Sequence, residues 1–438
     1  ETIEIPNTVT YIGEKAFYNA YALTGMTFAE GNNEVGLEFA EQAIAYSNRL
    51  ALNPMKSFEF PARTTKIGQN VFYNRLGLTS IAFEKGGVLD LEIGELAFSQ
   101  SSSASNSIST TSTLAVTPVT SLEIPARTTK IGKGAFYGMI KLETLTFEEG
   151  SKLTEIPTHM VLGCVSLKTL VLPEKLETIG NYAFETNDKA IKYYEYTEEE
   201  GAGKTTSKTF DHIGNNVLTA VTLPASLTKI GSYNFKNMLA LNTVVFQEGT
   251  GDLTIDTLSF AIYNTIKDTE EVKRAELSIT FNKNLTEIGA QVFSNTNLKS
   301  VTFPEGAKLT TIGQKAFSIT ATAGVPAPSI TTIALPASLK TLDATVFIGY
   351  DNLAAFTVVG QGALSAENGA LYMTEGADKY LFRLPPAYAQ TELTISGVAG
   401  VSANAVNNVD GITKITVENV KKLGDGCFAD LPSLETVV

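Results

Sequence analysis

The chain has no tryptophan, only two histidines and only two cysteines in 438 residues. That scarcity removes most site chemistry at the outset. His159 stands five residues before Cys164, so a Cys-His nucleophile pair has to be weighed. Such a pair needs an orienting third group and a pocket. Both residues fall in ordinary repeat sequence, which favours a surface histidine beside a core thiol. His212 is expected to be exposed. The stretch Gly201-Ala-Gly203-Lys204-Thr205 lacks the first glycine of a GxxxxGK phosphate loop. No cofactor or metal is implied. No run of 18 apolar residues occurs, so no helix is expected to span a membrane. Positive charge is also short: 33 Lys and Arg stand against 46 Asp and Glu, for a net charge of -13 and a pI near 4.9. That balance argues against nucleic acid and anionic membrane as partners.

What the chain has in abundance is a six-residue phrase. Its clearest copy is IGKGAF, Ile131 to Phe136. Openings fall at Ile12, Phe39, Ile67, Ile93, Ile131, Ile156, Ile179, Thr205, Ile230, Ile255, Ile288, Ile312, Leu342, Val401 and Leu423, fifteen in all. Twelve copies close on Phe, and Gly stands second in nine. Normally about eleven residues after an opening comes a second phrase, L-x-x-I-x-F, as in Leu142 to Phe147. A period of 22 to 28 residues means stacked repeats. L-x-x-I-x-F alternates and is rich in β-branched and aromatic residues, so it reads as a strand. The glycine of I-G-x-x-A-F is expected to permit a tight turn. Its small residue and Phe then point inward from about one helical turn. Stacking would pair the strands in a parallel sheet and gather the Phe side chains into a column.

LTTIGQKAF (Leu309 to Phe317), SLTKIGSYNF (Ser226 to Phe235) and KLETLTFEEGSKLTEIP (Lys141 to Pro157) resemble the BspA-type, or Treponema-type, bacterial leucine-rich repeats. The resemblance covers nearly the whole chain, with both phrases in fixed register. It implies an α/β leucine-rich-repeat solenoid, with a parallel β-sheet on one face and turns and short helical segments on the other. It also implies a bacterial cell-surface or secreted protein, often an adhesin, with no catalytic residues. The partner would be a protein or another cell-surface macromolecule. The alternative role is a structural spacer that presents another domain of a longer protein.

Length alone would suggest about three domains at ~150 residues each. The repeats override that and predict one solenoid over residues 1–438, open at both ends. Glu1 and Val438 both fall inside strand phrases, so a piece of a longer protein is expected. Strand phrases alternate between Pro endings (Pro61, Pro125) and acidic turns (Glu84, Glu148, and the stretch Tyr196 to Glu199), which suggests a paired ancestral unit. Those acidic turns read as a solvated stripe rather than calcium sites. Insertions fall between the IG phrase and the next strand: Gln100 to Pro118, Asn264 to Ala275, Ile319 to Ser329 and a short one near Leu50. Gln100 to Pro118, rich in Ser and Thr, is expected to be mobile. Residues 360–389 read as a β-hairpin that replaces one IG phrase. Cys164 and Cys427 are about nine repeats apart, roughly 40 Å at ~4.8 Å per strand, which is too far for a disulfide.

The residue between I and F of each strand should point outward. That row supplies the candidate partner-binding face: Glu4, Thr27, Glu59, Glu123, Thr146, Glu195, Thr222, Thr280 and Thr302. It carries four glutamates toward the N-terminus and threonines toward the C-terminus.

Overall fold

The computed structural model describes residues 1–47, 53–101, 114–186, 191–199, 202–210, 214–262, 273–320 and 327–438. The chain divides into two compact units, Glu1–Leu241 and Asn242–Val438, and each is described by itself. The insertion near Leu50 lies outside the described residues, as do most of Asn264 to Ala275 and of Ile319 to Ser329.

Each coil contributes two short strands. In the first unit the L-x-x-I-x-F segments pair in parallel. Thr2–Ile5 lies on Gly25–Phe28, Ser57–Phe60 on Ser80–Phe83, and Ser121–Ile124 on Thr144–Phe147, which lies on Thr169–Leu170. A second parallel ladder forms where the IG phrase begins. It runs Tyr11–Ile12, Leu37–Phe39, Thr64–Ile67, Leu91–Ile93, Thr128–Ile131. The second unit repeats both ladders, with Thr243–Phe246, Glu276–Thr280 and Asn297–Thr302 in one. The other holds Leu253–Ile255, Leu285–Ile288, Thr311–Ile312 and Thr341–Leu342. Fourteen of the fifteen openings are the last residue of such a strand. Burial alternates as the phrase requires: Ser57, Glu59, Ser121 and Glu123 face out, while Phe58, Phe60, Leu122 and Ile124 face in.

No helix occurs among the described residues, which corrects the expectation of short helical segments. The I-G-x-x-A-F run is a chain of successive turns. In the first coil Ala16 donates to Gly13 O (3.1 Å), Tyr18 to Lys15 O (3.0 Å) and Ala20 to Phe17 O (3.2 Å). The amides between them reach the next coil instead: Lys15 to Glu41 O, Phe17 to Ala43 O and Asn19 to Ala45 O, at 2.8–3.1 Å. An α-helix would consume every amide within its own segment. Alternating the two uses stitches the turn runs together as the strands are stitched. The geometry demands a left-handed residue at the fourth phrase position. Lys15, Asn70, His159, Tyr182 and Tyr233 all sit there at φ between +52° and +63°.

The phrase glycine therefore has a different reason from the one expected. Gly68, Gly94 and Gly132 are not among the glycines with positive φ. A Cβ on Gly68 would lie 2.6 Å from Ala40 C, and one on Gly132 would lie 2.3 Å from Glu95 N. Their amides donate to the preceding coil at 2.7 Å. At these copies the glycine is required because backbone of the preceding coil occupies the space a Cβ would need.

Closing Phe side chains stack along the interior. Phe98 and Phe136 are 5.3 Å apart, Phe184 and Phe235 5.0 Å, and Phe293 and Phe317 5.3 Å, all within 14° of parallel. Phe136 is fully buried. Aromatic contacts of this kind add about 0.5–1.5 kcal/mol each beyond their burial. Two arginines in matching ARTTKIG segments tie coils further apart. Arg63 Nη1 donates to Val9 O (2.7 Å), and Arg127 Nη1 donates to Thr64 O as well as to Leu89 O of the adjacent coil (3.0 Å).

Two departures interrupt the first unit's pattern. Ile191–Glu199 and Ala202–Phe210 form an antiparallel pair, with Glu195 opposite Thr206. The expected copy at Thr205 does not exist, and Tyr196 to Glu199 is strand rather than acidic turn. Thr178–Ile179 pairs directly with Lys229–Ile230, so the antiparallel pair, about one period long, is an insertion within a single coil. It meets the Ser/Thr-rich insertion: Tyr193 and Tyr194 pair in parallel with Leu114 and Ala115. Val116 is buried and Gln100 Nε2 donates to Phe72 O (3.0 Å), so both ends of Gln100 to Pro118 are anchored. Its middle, residues 102–113, lies outside the described residues.

In the second unit the expected hairpin is a three-stranded meander. Leu364–Glu367 pairs antiparallel with Ala370–Glu375, which pairs with Asp378–Arg383. The last strand then pairs in parallel with Gly400–Val401, so it takes the place of an IG opening.

Candidate partner-binding face

The strand ladders place most of the expected row in register. Glu4 pairs with Thr27, Glu59 with Ala82, Glu123 with Thr146 and Thr280 with Thr302. Glu4, Thr27, Glu59, Glu123, Thr222, Thr280 and Thr302 are exposed, and Thr146 is half-buried. Val171 in the first unit and Val245 in the second hold the equivalent phrase position and are 51% and 45% exposed, large values for apolar side chains. Glu195 is not in the row. It belongs to the antiparallel insertion, where it pairs with Thr206. A tyrosine-rich alternating strand resembles an L-x-x-I-x-F phrase closely enough to hide this in the sequence.

The acidic field is also thinner than composition suggests. Lys85 Nζ bonds Glu123 at 2.5 Å and also pairs with Glu148. Glu148 Oε2 accepts the Ala126 amide at 2.8 Å, and Glu84 Oε2 accepts the Ala62 amide at 2.8 Å. Burial would raise the Glu148 carboxyl. The bonds from Lys85 and Ala126, with the charges of Lys85 and Arg127, outweigh it and hold the group below the usual range. These acidic turns thus cap the amide that follows Pro61 or Pro125 in the preceding coil. That contact is the physical reason Pro endings alternate with acidic turns. Glu4 and Glu59 have no ion-pair partner among the described residues, so they supply the unneutralised charge of the row. No group of three or more His, Cys, Asp or Glu side chains gathers as metal ligands among the described residues.

His159 is 2% exposed rather than on the surface, and burial together with the Lys133 charge lowers its pKa to about 4. It packs on Tyr182 (5.4 Å), which stacks on Tyr233 (4.5 Å). This aromatic column runs along the turn runs, opposite in kind to the strand row. Its signal in the sequence is the fourth phrase position. Cys164 is buried, its Sγ donates to Phe136 O at 3.4 Å, and burial pushes the thiol up to about 12. A thiolate is disfavoured there. Cys427 is buried as well. His212 lies outside the described residues.

Stacked coils of this period, with two parallel ladders and an in-register outward row, define a leucine-rich-repeat protein. The family model described as the BspA type leucine rich repeat region matches in 6 copies, over residues 1–48, 45–116, 110–215, 204–321 and 273–375. The chain belongs to that family. No curated protein matches the sequence. Among solved structures, a leucine rich cell surface protein from Faecalibacterium prausnitzii A2-165 is 18% identical, with a TM-score of 0.37. The match covers 79% of this chain and 64% of that one, so this chain spans less than two thirds of it. The pneumococcal vaccine antigen PcpA is 15% identical over 100% of this chain and 78% of its own, with a TM-score of 0.37. A leucine-rich repeat protein from Bacteroides ovatus ATCC 8483 is 17% identical over 82% and 92%, with a TM-score of 0.30. Among the described residues no helix is long and apolar enough to cross a membrane.

Proposed function

We propose that the chain belongs to a non-enzymatic bacterial cell-surface or secreted protein that binds another macromolecule, a host or bacterial surface protein, through its strand face. The observation that carries this reading is the row itself. Parallel strands bring Glu4 beside Thr27, Glu59 beside Ala82, and Thr280 beside Thr302, all aimed at solvent. Within each unit, a repeated outward row lets an extended partner make many weak contacts together. Val171 and Val245 add apolar contact area to it. Exposed Glu4 and Glu59 favour basic segments of a protein partner and repel nucleic acid. Such charges act mainly on association rate, and salt screens them beyond ~8 Å.

The test uses the chain against an array of purified host extracellular proteins. One variant carries Thr27→Arg, Glu59→Arg and Thr280→Arg on the strand face. A control variant carries Glu14→Arg and Glu287→Arg off that row. Binding to an array member that the first variant loses and the control retains supports the proposal. Binding that both variants retain, or no binding to any member, overturns it.

A further inference from the structure

The meander in the second unit leaves a gap in the stack. Regular coils follow their opening strand with a turn run bonded to the next coil. After Asp378–Arg383 the chain continues Leu384-Pro385-Pro386, and two prolines supply no amide for such a run. A cavity of about 350 Å³ remains between the turn run that follows Leu342 and the one that precedes Gly411.

Arg383 bridges this gap. Its Nη2 donates to Leu342 O at 3.0 Å and its Nη1 donates to Asn404 O. In a regular coil the carbonyl at the place of Leu342 O takes an amide, as Ile288 O takes that of Gly313 at 2.8 Å. The guanidinium therefore stands in for missing backbone while lining the cavity wall. It is 7% exposed, and its Nε is enclosed with no hydrogen-bond partner among the described residues. A buried donor of this kind calls for an acceptor.

The remaining lining decides what kind of acceptor fits. Asp343, Asp410 and Asn408 line the same cavity; Asp343 Oδ1 already accepts the Thr345 amide at 2.8 Å and Asn408 Nδ2 already donates to Asn407 Oδ1, which leaves the second Asp343 oxygen, Asp410 and the Asn408 carbonyl oxygen for a ligand. A carboxylate or phosphate ligand would meet the aspartates, and a bare cation would meet Arg383. A hydroxyl group satisfies both sides, because it donates and accepts. Phe356 is buried, Tyr388 is half-buried, and both give the cavity an apolar wall. A sugar ring combines hydroxyls at its edge with C–H groups on its faces. Ligand cavities of roughly 300 Å³ and upward hold small molecules, so one ring fits.

The geometry points to a binding site for a neutral monosaccharide unit, such as the terminal hexose of a glycan, held by Arg383, Asp343, Asp410 and Asn408 against Tyr388. It stands apart from the strand-face proposal and shares no residue with it. The experiment is calorimetric titration of the whole chain with glucose, galactose, mannose, N-acetylglucosamine and N-acetylgalactosamine. Sodium acetate and ethylammonium chloride serve as charged probes. Asp410→Ala and Tyr388→Ala alter the rim and leave Arg383, which is part of the core, in place. The expected result is saturable millimolar binding of at least one neutral sugar. It should weaken at least about tenfold in both variants, a loss of about 1.4 kcal/mol, and be unchanged by Thr27→Arg. No saturable binding of any of the five sugars would overturn the assignment. Sugar binding indifferent to both rim variants, or preferential binding of either charged probe, would overturn it too.

Discussion

Replacing Gly132 with alanine separates two explanations of the phrase glycine. If glycine were there for turn flexibility, alanine at this non-positive φ would be neutral, or would stabilise by about 0.4–1 kcal/mol through the unfolded chain. The structure instead places the added Cβ 2.3 Å from Glu95 N and 2.5 Å from Gly94 C. Those are backbone atoms of the preceding coil, so no side-chain rotation relieves the clash. Normal contact requires the two coils to separate by more than an ångström locally. That stretches the 2.7 Å bond from Gly132 N to Ile93 O and disturbs the pairing of Ile131 with Ile93. Overpacking of a rigid core costs about 1–3 kcal/mol, and a weakened ladder bond adds about 1 kcal/mol. Gly132→Ala should therefore lose about 2–4 kcal/mol. Gly13 is the internal control. It holds the same phrase position in the first coil, and a Cβ there meets only Tyr11 Cε1, at 3.6 Å. Gly13→Ala should change stability by less than about 1 kcal/mol, in the stabilising direction. Urea unfolding followed by circular dichroism gives both values. Amide hydrogen exchange at Gly132 locates the loss. Equal effects of the two substitutions would refute the close-approach argument.

Phe136→Ala should cost about 3–5 kcal/mol, because the ring is fully buried against Phe98 and leaves a cavity in the stack; thermal unfolding checks it, and a loss under about 1 kcal/mol would contradict the column. His159 titrates at about 4 in the folded chain against 6.5 unfolded, so the unfolded state binds more protons between those values. Its contribution to stability is present above pH 6.5 and is lost as pH falls toward 4. His159→Asn keeps a residue type found at the same left-handed position in Asn70 and should flatten the slope between pH 6.5 and 5. An unchanged slope in urea midpoints across that window would show that His159 is not the group responsible.

Much of the architecture is legible in the residues. The IG phrase repeats in fixed register, and its opening residue marks a strand end in every copy but one. The exception, Thr205, shows the limit. A hairpin rich in threonine and tyrosine, inserted between Ile179 and Ile230, stretches one coil to the length of two periods and so mimics an extra coil. That error carried Glu195 into the candidate row. The helical expectation failed for a related reason. Small residue and Phe spaced along I-G-x-x-A-F suit one helical turn, and they suit consecutive turns equally well. The difference lies in where the amides of Lys15 and Phe17 donate, and that depends on a neighbouring coil. Glycine likewise has the same letter whether it serves φ or proximity. Arg383 and its cavity were hidden because the carbonyls it bonds, Leu342 and Asn404, are remote in the chain.

The proposed binding face depends most on an exposed strand row in parallel register. Cysteines at Glu123 and Thr146 measure that register directly. These positions are paired neighbours on Ser121–Ile124 and Thr144–Phe147, while native Cys164 and Cys427 are buried. Mild oxidation of the Glu123→Cys, Thr146→Cys double variant should close a disulfide rapidly without unfolding the chain. The Ser121→Cys, Thr146→Cys pair, offset by two residues, should remain reduced. Cross-linking of the offset pair in preference to the paired one would contradict the account.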